Sequence, residues 1–357
     1  INNIKNISIA ALFIRYEIFL YVGIVSCGFS MRLWDLGSRA MGYDESLHAY
    51  YSYLLSQGHG FQHTPVMHGP WLFHISALAF FFFGDSDLVA RLMPAIFGTI
   101  LIILPWFLRS MLGRIGSLVT SVLLTFSPMM LFYSRYARND IFMAVWTLAI
   151  MVLMWRFIEE RKHTYLYMIA LVLALAFTTK ETTFIVVAVF GSYLFIIASP
   201  DWIPWIFRRP KKLIASHVSD DTYRYVPGYG FRFGNFSIRH RLSQFSSPGI
   251  LLLLFATLTL PQAAATISLF NEVFSRFNII LANSEVPIGA PSGTVVLNIQ
   301  GLALTTGVIF GFLWVISLIL IAVVLGISWN RGVWLKCAAI FYCAWLLFYT
   351  TFLTNVV

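Results

Sequence analysis

The stretch IAALFIRYEIFLYVGIVSCGFSMRLWDLGSRAMGYDESLH covers residues 9–48 and sets the pattern for the whole chain. Its first part, near residues 9–31, is apolar and as long as the roughly 20 helical residues that cross a bilayer. An acid pair, Asp44 and Glu45, follows in a short polar segment. Because charged groups beside a membrane are costly unless they find partners or line a wet cavity, this segment is a candidate functional site.

The composition of the chain is that of an integral membrane protein. Hydrophobic residues make up 59% of the 357 residues and charged residues 11%, whereas a soluble domain carries about 25% charge. The net charge of +9 indicates basic cytoplasmic loops and membrane lipids as partners, not nucleic acid, for which the sequence has no binding motif. The three cysteines lie in apolar runs and fit neither a disulfide framework nor a metal spacing. We therefore predict an all-α polytopic membrane protein.

Nine apolar runs are long enough to predict transmembrane helices. They lie near residues 9–31, 88–108, 115–134, 140–158, 164–179, 183–206, 248–269, 299–328 and 334–353. A further run at 70–85 is short for a span and contains His74, which suits an interfacial or re-entrant helix. We expect residues 31–87 to form one outer loop with two helices on the membrane surface.

Basic residues indicate which loops are cytoplasmic. With an inner N-terminus and no crossing at 70–85, sixteen Lys and Arg residues lie in inner loops and seven on the outer side, which agrees with the positive-inside rule. A crossing at 70–85 would move the basic cluster at 208–212 outside and is the less favourable alternative. The favoured topology places three polar motifs on one outer side: YDESLH at 43–48, SRYARND at 134–140 and TTKETT at 178–183.

This topology divides the chain into three parts. Residues 1–207 form the predicted membrane core, including the outer loop 31–87, and residues 208–246 form a basic cytoplasmic loop. Residues 247–357 supply C-terminal transmembrane helices, which we expect to be an incomplete set.

Two of the outer motifs place cations at the junctions between spans. SRYARND supplies Arg135 and Arg138 beside Asp140, and TTKETT supplies Lys180 beside Glu181. Arginine grips phosphate oxygens in a fork and lysine adds a point charge, so the set predicts a site for the phosphate of a membrane-bound substrate. The alternative is that these side chains only extend to the lipid headgroups.

The acid pair begins a short amphipathic helix. Leu47, Tyr50, Tyr51 and Leu54 have the spacing of one helical face. A carboxylate at Asp44, near the start of this helix, gains from the helix dipole. The alternative is that Asp44 serves only as the N-cap of the helix.

In this order, the motifs resemble those of the GT-C glycosyltransferases, in particular relatives of protein O-mannosyltransferases and of the transferases that add aminoarabinose to lipid A. A closer likeness is to prokaryotic members described only as flippase-associated. MGYDESLHAYYSYLLSQG resembles the acid-pair loop of the family, and HTPVMHGPWLFHISALAFFFFGDSDLVARLMPAIFGTI resembles the stretch that follows it. SRYARNDIFMAVW and ALAFTTKETTFIV resemble two span junctions of the family. The likeness covers about residues 10–200.

The resemblance implies a fold, a donor and residue roles. The fold would be a GT-C-like helical bundle with about nine transmembrane helices. The donor would be a polyprenyl-phosphate-linked sugar, used in an inverting-type transfer at the outer membrane face. Asp44 would be the catalytic base or would orient the acceptor hydroxyl, and Glu45 would support it. Arg135, Arg138 and Lys180 would hold the phosphate leaving group.

Four further residues are candidates for supporting roles: Asp140, Glu181, His48 and His68. At His68 the chain has HGP where the family has a double proline. No cofactor is required by the motifs. Histidines crowd the first loop, including His59 and His63, so a divalent metal is an alternative, although no ligand spacing such as HExxH is present.

The leading hypothesis is a multi-pass glycosyltransferase of a prokaryotic inner (plasma) membrane with its active site on the outer face. The second hypothesis is a non-catalytic subunit that has the same fold and packs against other subunits of a larger membrane complex. A third, a transporter of lipid-linked sugars, would need charges near the bilayer midplane or inverted repeats, and the sequence shows neither. The motifs specify neither the sugar nor the acceptor.

Overall fold

A computed structural model describes most of the chain. The described residues are 9–59, 67–206, 232–233, 236–237, 242, 245–270, 273–274, 276, 295–299 and 302–353. Most of the predicted cytoplasmic loop 208–246 therefore lies outside the described residues, as does His63.

Helices dominate these residues. They are α1 (Ile9–Leu33), α2 (Tyr43–Ser56), α3 (Trp71–Phe83), α4 (Asp87–Ile103), α5 (Arg109–Phe126), α6 (Pro128–Ser134), α7 (Asp140–Glu160), α8 (His163–Phe177), α9 (Thr183–Ile197), α10 (Ser199–Ile206), α11 (Ser247–Thr259) and α12 (Thr306–Tyr349). Leu104–Leu108 and Pro261–Phe270 are 3-10 helices. Two short antiparallel hairpins, which the sequence did not predict, pair β1 (Arg232–Phe233) with β2 (Phe236–Ser237) and β3 (Val295–Ile299) with β4 (Leu302–Thr305).

Four helical stretches in the described residues are long and apolar enough to cross a membrane. They are Tyr16–Leu33, Asp87–Phe126, Asp140–Glu160 and Ile309–Tyr349. Shorter apolar helices are α3, α8, α9 and α11. The run at 70–85 thus forms a helix of 13 residues, Trp71–Phe83, which is too short for an ordinary span.

The stretch Asp87–Phe126 contains two predicted spans that fold back on each other. Gly113 has φ 73° and ψ 166°, which breaks the helical path inside α5, four residues after its start. Glycine tolerates this positive φ because it has no Cβ. The Ser121 hydroxyl donates to the Ile102 carbonyl at 2.9 Å, so α5 returns along α4.

The described chain forms two compact units, residues 1–188 with 339–357 and residues 189–338. In the second unit, Asn330 interrupts α12 with φ −153° and ψ 99°, and Trp334 packs so tightly on Gly326 that a Cβ there would collide with its ring. The Trp334 indole also donates to the Thr257 hydroxyl at 3.0 Å. Asp201 accepts a hydrogen bond from the Ser246 amide at 3.0 Å just before α11 begins.

The core of the first unit is an aromatic cluster around Trp71, at the start of α3. The Trp71 ring contacts Phe97, Phe142 and Trp146, with centroids 6.0, 6.4 and 5.4 Å away. These contacts join the start of α3 to α4 and α7. Aromatic pairs in such tilted arrangements contribute about 0.5–1.5 kcal/mol each beyond their buried area.

The segment just before α3 docks against the chain that follows α8. The Gly69 amide donates to the Thr179 carbonyl at 3.1 Å, and the Trp71 amide donates to the Thr178 carbonyl at 2.8 Å. A Cβ at Gly69 would collide with the Thr178 carbonyl oxygen, so only glycine allows this approach. Through this contact the HGP and TTKETT motifs become neighbours.

Candidate functional site

The acid-pair helix α2 turns its polar face inward. Its buried residues are Glu45, His48 and Ser52, whereas Tyr43 and Tyr50 are exposed. This orientation is the reverse of that in a soluble protein, and it leaves the aromatic side chains free to contact lipid.

Asp44 is not the N-cap of α2. Gly42 occupies that position, and its amide donates to the Glu45 carboxylate at 3.1 Å. Asp44 instead lies at the second helical position, and its carboxylate is 3.3 Å from Nη2 of Arg138. The N-cap alternative for Asp44 therefore does not describe this helix.

Glu45 is fully buried and accepts five hydrogen bonds. Arg91 donates to both carboxylate oxygens at 2.9 Å, and Arg39 donates to Oε2 at 2.9 Å. The amides of Gly42 and Ala137 complete the set at 3.1 and 3.0 Å. Burial by itself would raise the pKa of this carboxyl, but these hydrogen bonds outweigh it and hold the pKa of Glu45 below its usual value.

These contacts make Glu45 a positioning residue. It joins α2 to α4 and to the SRYARND loop, and Arg91 adds bonds to the carbonyls of Leu36 and Arg39 at 3.0 and 2.9 Å. Both carboxylate oxygens are occupied, so Glu45 has little capacity to receive a further proton donor. The neighbouring Asp44 carboxylate, 41% exposed, is the accessible member of the pair.

Asp44 begins a chain of alternating charges. Arg138 lies between Asp44 and Asp140, at 3.3 and 3.5 Å. Lys180 Nζ donates to the other oxygen of Asp140 at 2.8 Å. The side chains of Arg138 and Lys180 are 35% and 16% exposed. The structure thus brings together four predicted residues from the three polar motifs.

Two histidines adjoin this chain. His68, with φ 64°, directs Nδ1 to the Glu181 carboxylate at 2.9 Å. His48 is buried on α2, and burial lowers the pKa of its imidazole, as do the charges of His68 and Arg138, while Asp44 opposes the shift. Burial therefore favours the neutral form of the His48 imidazole.

Arg135 does not join the other two cations. Its guanidinium donates to the Trp34 and Asp35 carbonyls at 2.6 and 3.2 Å, just beyond the end of α1. The expectation that three cations meet on one anion is therefore wrong for Arg135 in this structure, because unpaired carbonyls at a helix end are strong acceptors for a nearby guanidinium. Arg138 and Lys180 do meet, on Asp140.

Three arginines near the site were not singled out by the sequence motifs. Arg39 and Arg91 bind Glu45, as described. Arg32 is fully buried at the end of α1, where it donates to the Ser134 hydroxyl and to the Gly28 and Leu124 carbonyls at 3.1, 3.0 and 3.2 Å. The sequence feature that could have identified Arg32 and Arg91 is their position beside long apolar runs, because an arginine there needs buried partners.

The described residues contain no group of three or more His, Cys, Asp or Glu side chains arranged to hold a metal ion. His59 is exposed at the end of α2, and its sequence neighbour His63 lies outside the described residues.

A comparison with protein families gives a match over part of the chain. Residues 65–219 match the family described as dolichyl-phosphate-mannose-protein mannosyltransferase. No curated protein matches the chain. The matched range includes His68, Arg138, Asp140 and Lys180, and it begins after the acid pair. The match covers less than half of the chain, and it indicates a likeness to membrane glycosyltransferases of this type. Together with the apolar helices of the described residues, it agrees with a multi-pass, all-α membrane protein.

Proposed function

We propose that this protein transfers a sugar from a polyprenyl-phosphate donor to an acceptor hydroxyl at the outer face of a prokaryotic inner membrane. The observation that carries the proposal is the charge chain Asp44–Arg138–Asp140–Lys180. In this chain the accessible carboxylate of Asp44 contacts Arg138, and Lys180 follows across Asp140. A carboxylate with cations nearby suits transfer from a lipid phosphate.

In the proposed reaction, the acceptor oxygen attacks the anomeric carbon and the bond from that carbon to the phosphate oxygen breaks. The acceptor proton moves to Asp44. Attack from the side opposite the phosphate inverts the configuration of the sugar. The phosphate is already a good leaving group, so the protein needs to position the reactants, accept one proton and neutralise one growing charge.

The contact between Asp44 and Arg138 couples the last two tasks. As Asp44 gains a proton it loses its charge, so Arg138 loses half of its carboxylate partners. In the same step the donor phosphate changes from one negative charge to about two. Arg138 can then turn its free donors toward the phosphate, and its fork suits two phosphate oxygens.

The remaining groups hold this arrangement. Asp140 orients both Arg138 and Lys180. Glu181 binds His68, which fixes the loop before α3 at the side of the site. Before the donor arrives, the carboxylates compensate the cations, which limits the cost of placing several charges at a membrane edge.

The test is transfer of radiolabelled sugar from polyprenyl-phosphate sugars by the full-length protein in proteoliposomes. Asp44→Asn should abolish transfer while binding of polyprenyl phosphate stays within about threefold, because the amide keeps the shape but cannot accept the proton. Asp35→Asn is the matched control, since Asp35 is an exposed loop carboxylate that binds Ser38.

Transfer by Asp44→Asn at the wild-type rate would remove Asp44 from the chemistry. No binding of polyprenyl phosphate by the wild-type protein would instead favour a non-catalytic subunit of a membrane complex.

A further inference from the structure

The charges around the acid pair are not evenly compensated. Asp44, Arg138, Asp140 and Lys180 sum to zero. Around Glu45, by contrast, one carboxylate meets two guanidinium groups, those of Arg39 and Arg91. This end of the site therefore carries an excess positive charge.

Arg39 is where that excess charge reaches solvent. The Arg91 side chain is 1% exposed and the Arg39 side chain 47%. Arg91 already satisfies both oxygens of Glu45, so Glu45 does not require Arg39 for neutrality. In the described part of the chain, only Nη2 of Arg39 makes a hydrogen bond, and Nε and Nη1 are available to a ligand.

The Arg39 side chain is held in place before any ligand binds. Its guanidinium carbon lies 5.2 Å from the centroid of the Tyr136 ring and 5.6 Å from that of Phe132, and these two rings are stacked on each other. Its backbone carbonyl accepts a hydrogen bond from Arg91 at 2.9 Å. An ordered guanidinium with free donors loses less entropy on binding an anion than a mobile one.

Tyr136 connects Arg39 to the rest of the site. Its hydroxyl lies over Gly42, where a Cβ would come within 2.8 Å of it, two residues before Asp44. Burial raises the pKa of Tyr136, as do the charges of Glu45 and Asp44, while Arg138 and Arg39 lower it. Tyr136 lies under the Arg39 guanidinium and two residues before Arg138 in the chain, so it is a neighbour of both arginines.

We propose that Arg39 is a donor-binding residue, and that Arg39 and Arg138 together hold the phosphate of the polyprenyl donor. This inference rests on the function proposed above. It gives Arg39 the place that the sequence had assigned to Arg135. The shared ligand chemistry is a phosphate ester, which a lipid donor, an ordinary phospholipid headgroup or free phosphate could each supply.

The experiment is a titration of the full-length protein, in nanodiscs of zwitterionic lipid, with polyprenyl phosphate. Arg39→Ala should weaken binding about tenfold, the low end for a charge-assisted hydrogen bond because the residue is half exposed. Arg39→Lys should recover part of the loss, since lysine keeps the charge without the fork. Arg156→Ala is the matched control: Arg156 is also partly exposed and also pairs with carboxylates, Glu159 and Glu160.

A structural role alone would give a different result. If Arg39 only supports Glu45, Arg39→Ala lowers the melting temperature and leaves the affinity within twofold, which overturns the inference. If Arg39→Ala does not fold, the same comparison of melting temperature and affinity is made with Arg39→Gln, which can still donate a hydrogen bond to Glu45.

Further binding measurements distinguish the role of Arg39 from the proposed function, and the lipid donor from other sources of phosphate. Loss of binding in Arg138→Ala with full binding in Arg39→Ala overturns only the role of Arg39. No binding by the wild-type protein overturns both proposals. Equal competition by phosphatidylglycerol or inorganic phosphate would show a general anion site and contradict a donor site, whereas weak competition supports it.

Discussion

Replacing Glu45 by Gln should destabilise the first unit far more than replacing its neighbour. The change removes the charge that compensates Arg91, which is 1% exposed. It also turns an amide NH₂ toward N–H donors that now bind a carboxylate oxygen. Breaking a buried ion pair by removing one partner costs about 3–5 kcal/mol. We expect the free energy of unfolding to fall by an amount in that range. The ion pair between Arg39 and Glu45 adds little to it, because the Arg39 side chain is half exposed.

Asp44→Asn is the matched comparison. The Asp44–Arg138 contact is 3.3 Å long and both side chains are more than a third exposed, so it contributes at most about 1 kcal/mol to stability. Asn can also occupy the first turn of a helix without strain. The two adjacent acids should therefore differ in the property that their substitution changes. Glu45→Gln should lower stability, and Asp44→Asn should lower sugar transfer.

The assay is thermal unfolding in lipid nanodiscs. For a unit of about 200 residues, a loss of 3–5 kcal/mol corresponds to a fall of roughly 10 °C in the melting temperature. The double variant with Arg91→Met should recover much of the loss, because no buried charge is left without a partner. A fall of less than 2 °C for Glu45→Gln would refute the reasoning, as would a double variant whose loss is the sum of the single losses.

The pH dependence gives a second readout of the same carboxyl. The pKa of Glu45 is lowered on folding, so its stabilising contribution is present above the unfolded value of about 4.3 and is lost as the pH falls through the lower folded value. The difference in stability between wild-type protein and Glu45→Gln should be constant at neutral pH and should shrink below about pH 4. A difference that grows on acidification would contradict the sign.

Two further predictions concern topology and Arg135. Single cysteines at Ser56 and Ser219 should be labelled from opposite sides of sealed vesicles, and labelling from the same side would contradict the shared outer site. Arg135→Ala should leave polyprenyl phosphate affinity within twofold and cost about 1 kcal/mol of stability, because Arg135 binds the carbonyls of Trp34 and Asp35. A tenfold loss of affinity would return Arg135 to the phosphate site.

The sequence was sufficient to predict that the three polar motifs form one group. The charge asymmetry of the loops placed YDESLH, SRYARND and TTKETT on one side, and the structure brings residues from all three into contact. Long apolar runs determine the order of spans, and the order of spans determines which junctions can meet. This part of the prediction needed no knowledge of side-chain directions.

The direction in which each side chain points could not be predicted from the sequence. Arg135 and Arg138 lie three residues apart, which on a continuous helix would place them on one face. The chain leaves the helix at Arg135, where φ is −115° and ψ is 19°, so the two guanidinium groups point to different partners. Asp44 and Glu45 differ for a related reason, since adjacent helical positions face about 100° apart and only one of them faces Arg91.

The five bonds of Glu45 also have a consequence for biogenesis. Arg91 follows Glu45 by 46 residues and Ala137 follows it by 92. At roughly 5–20 residues per second of synthesis, the carboxylate waits about 2–9 s for its first buried partner and about twice as long for its last. During that interval the polar face of α2 lacks its protein partners and must be solvated by water at the membrane surface. The acid-pair helix is thus synthesised well before its partners, and it can complete its packing only after α4 and the loop that follows α6 have been made.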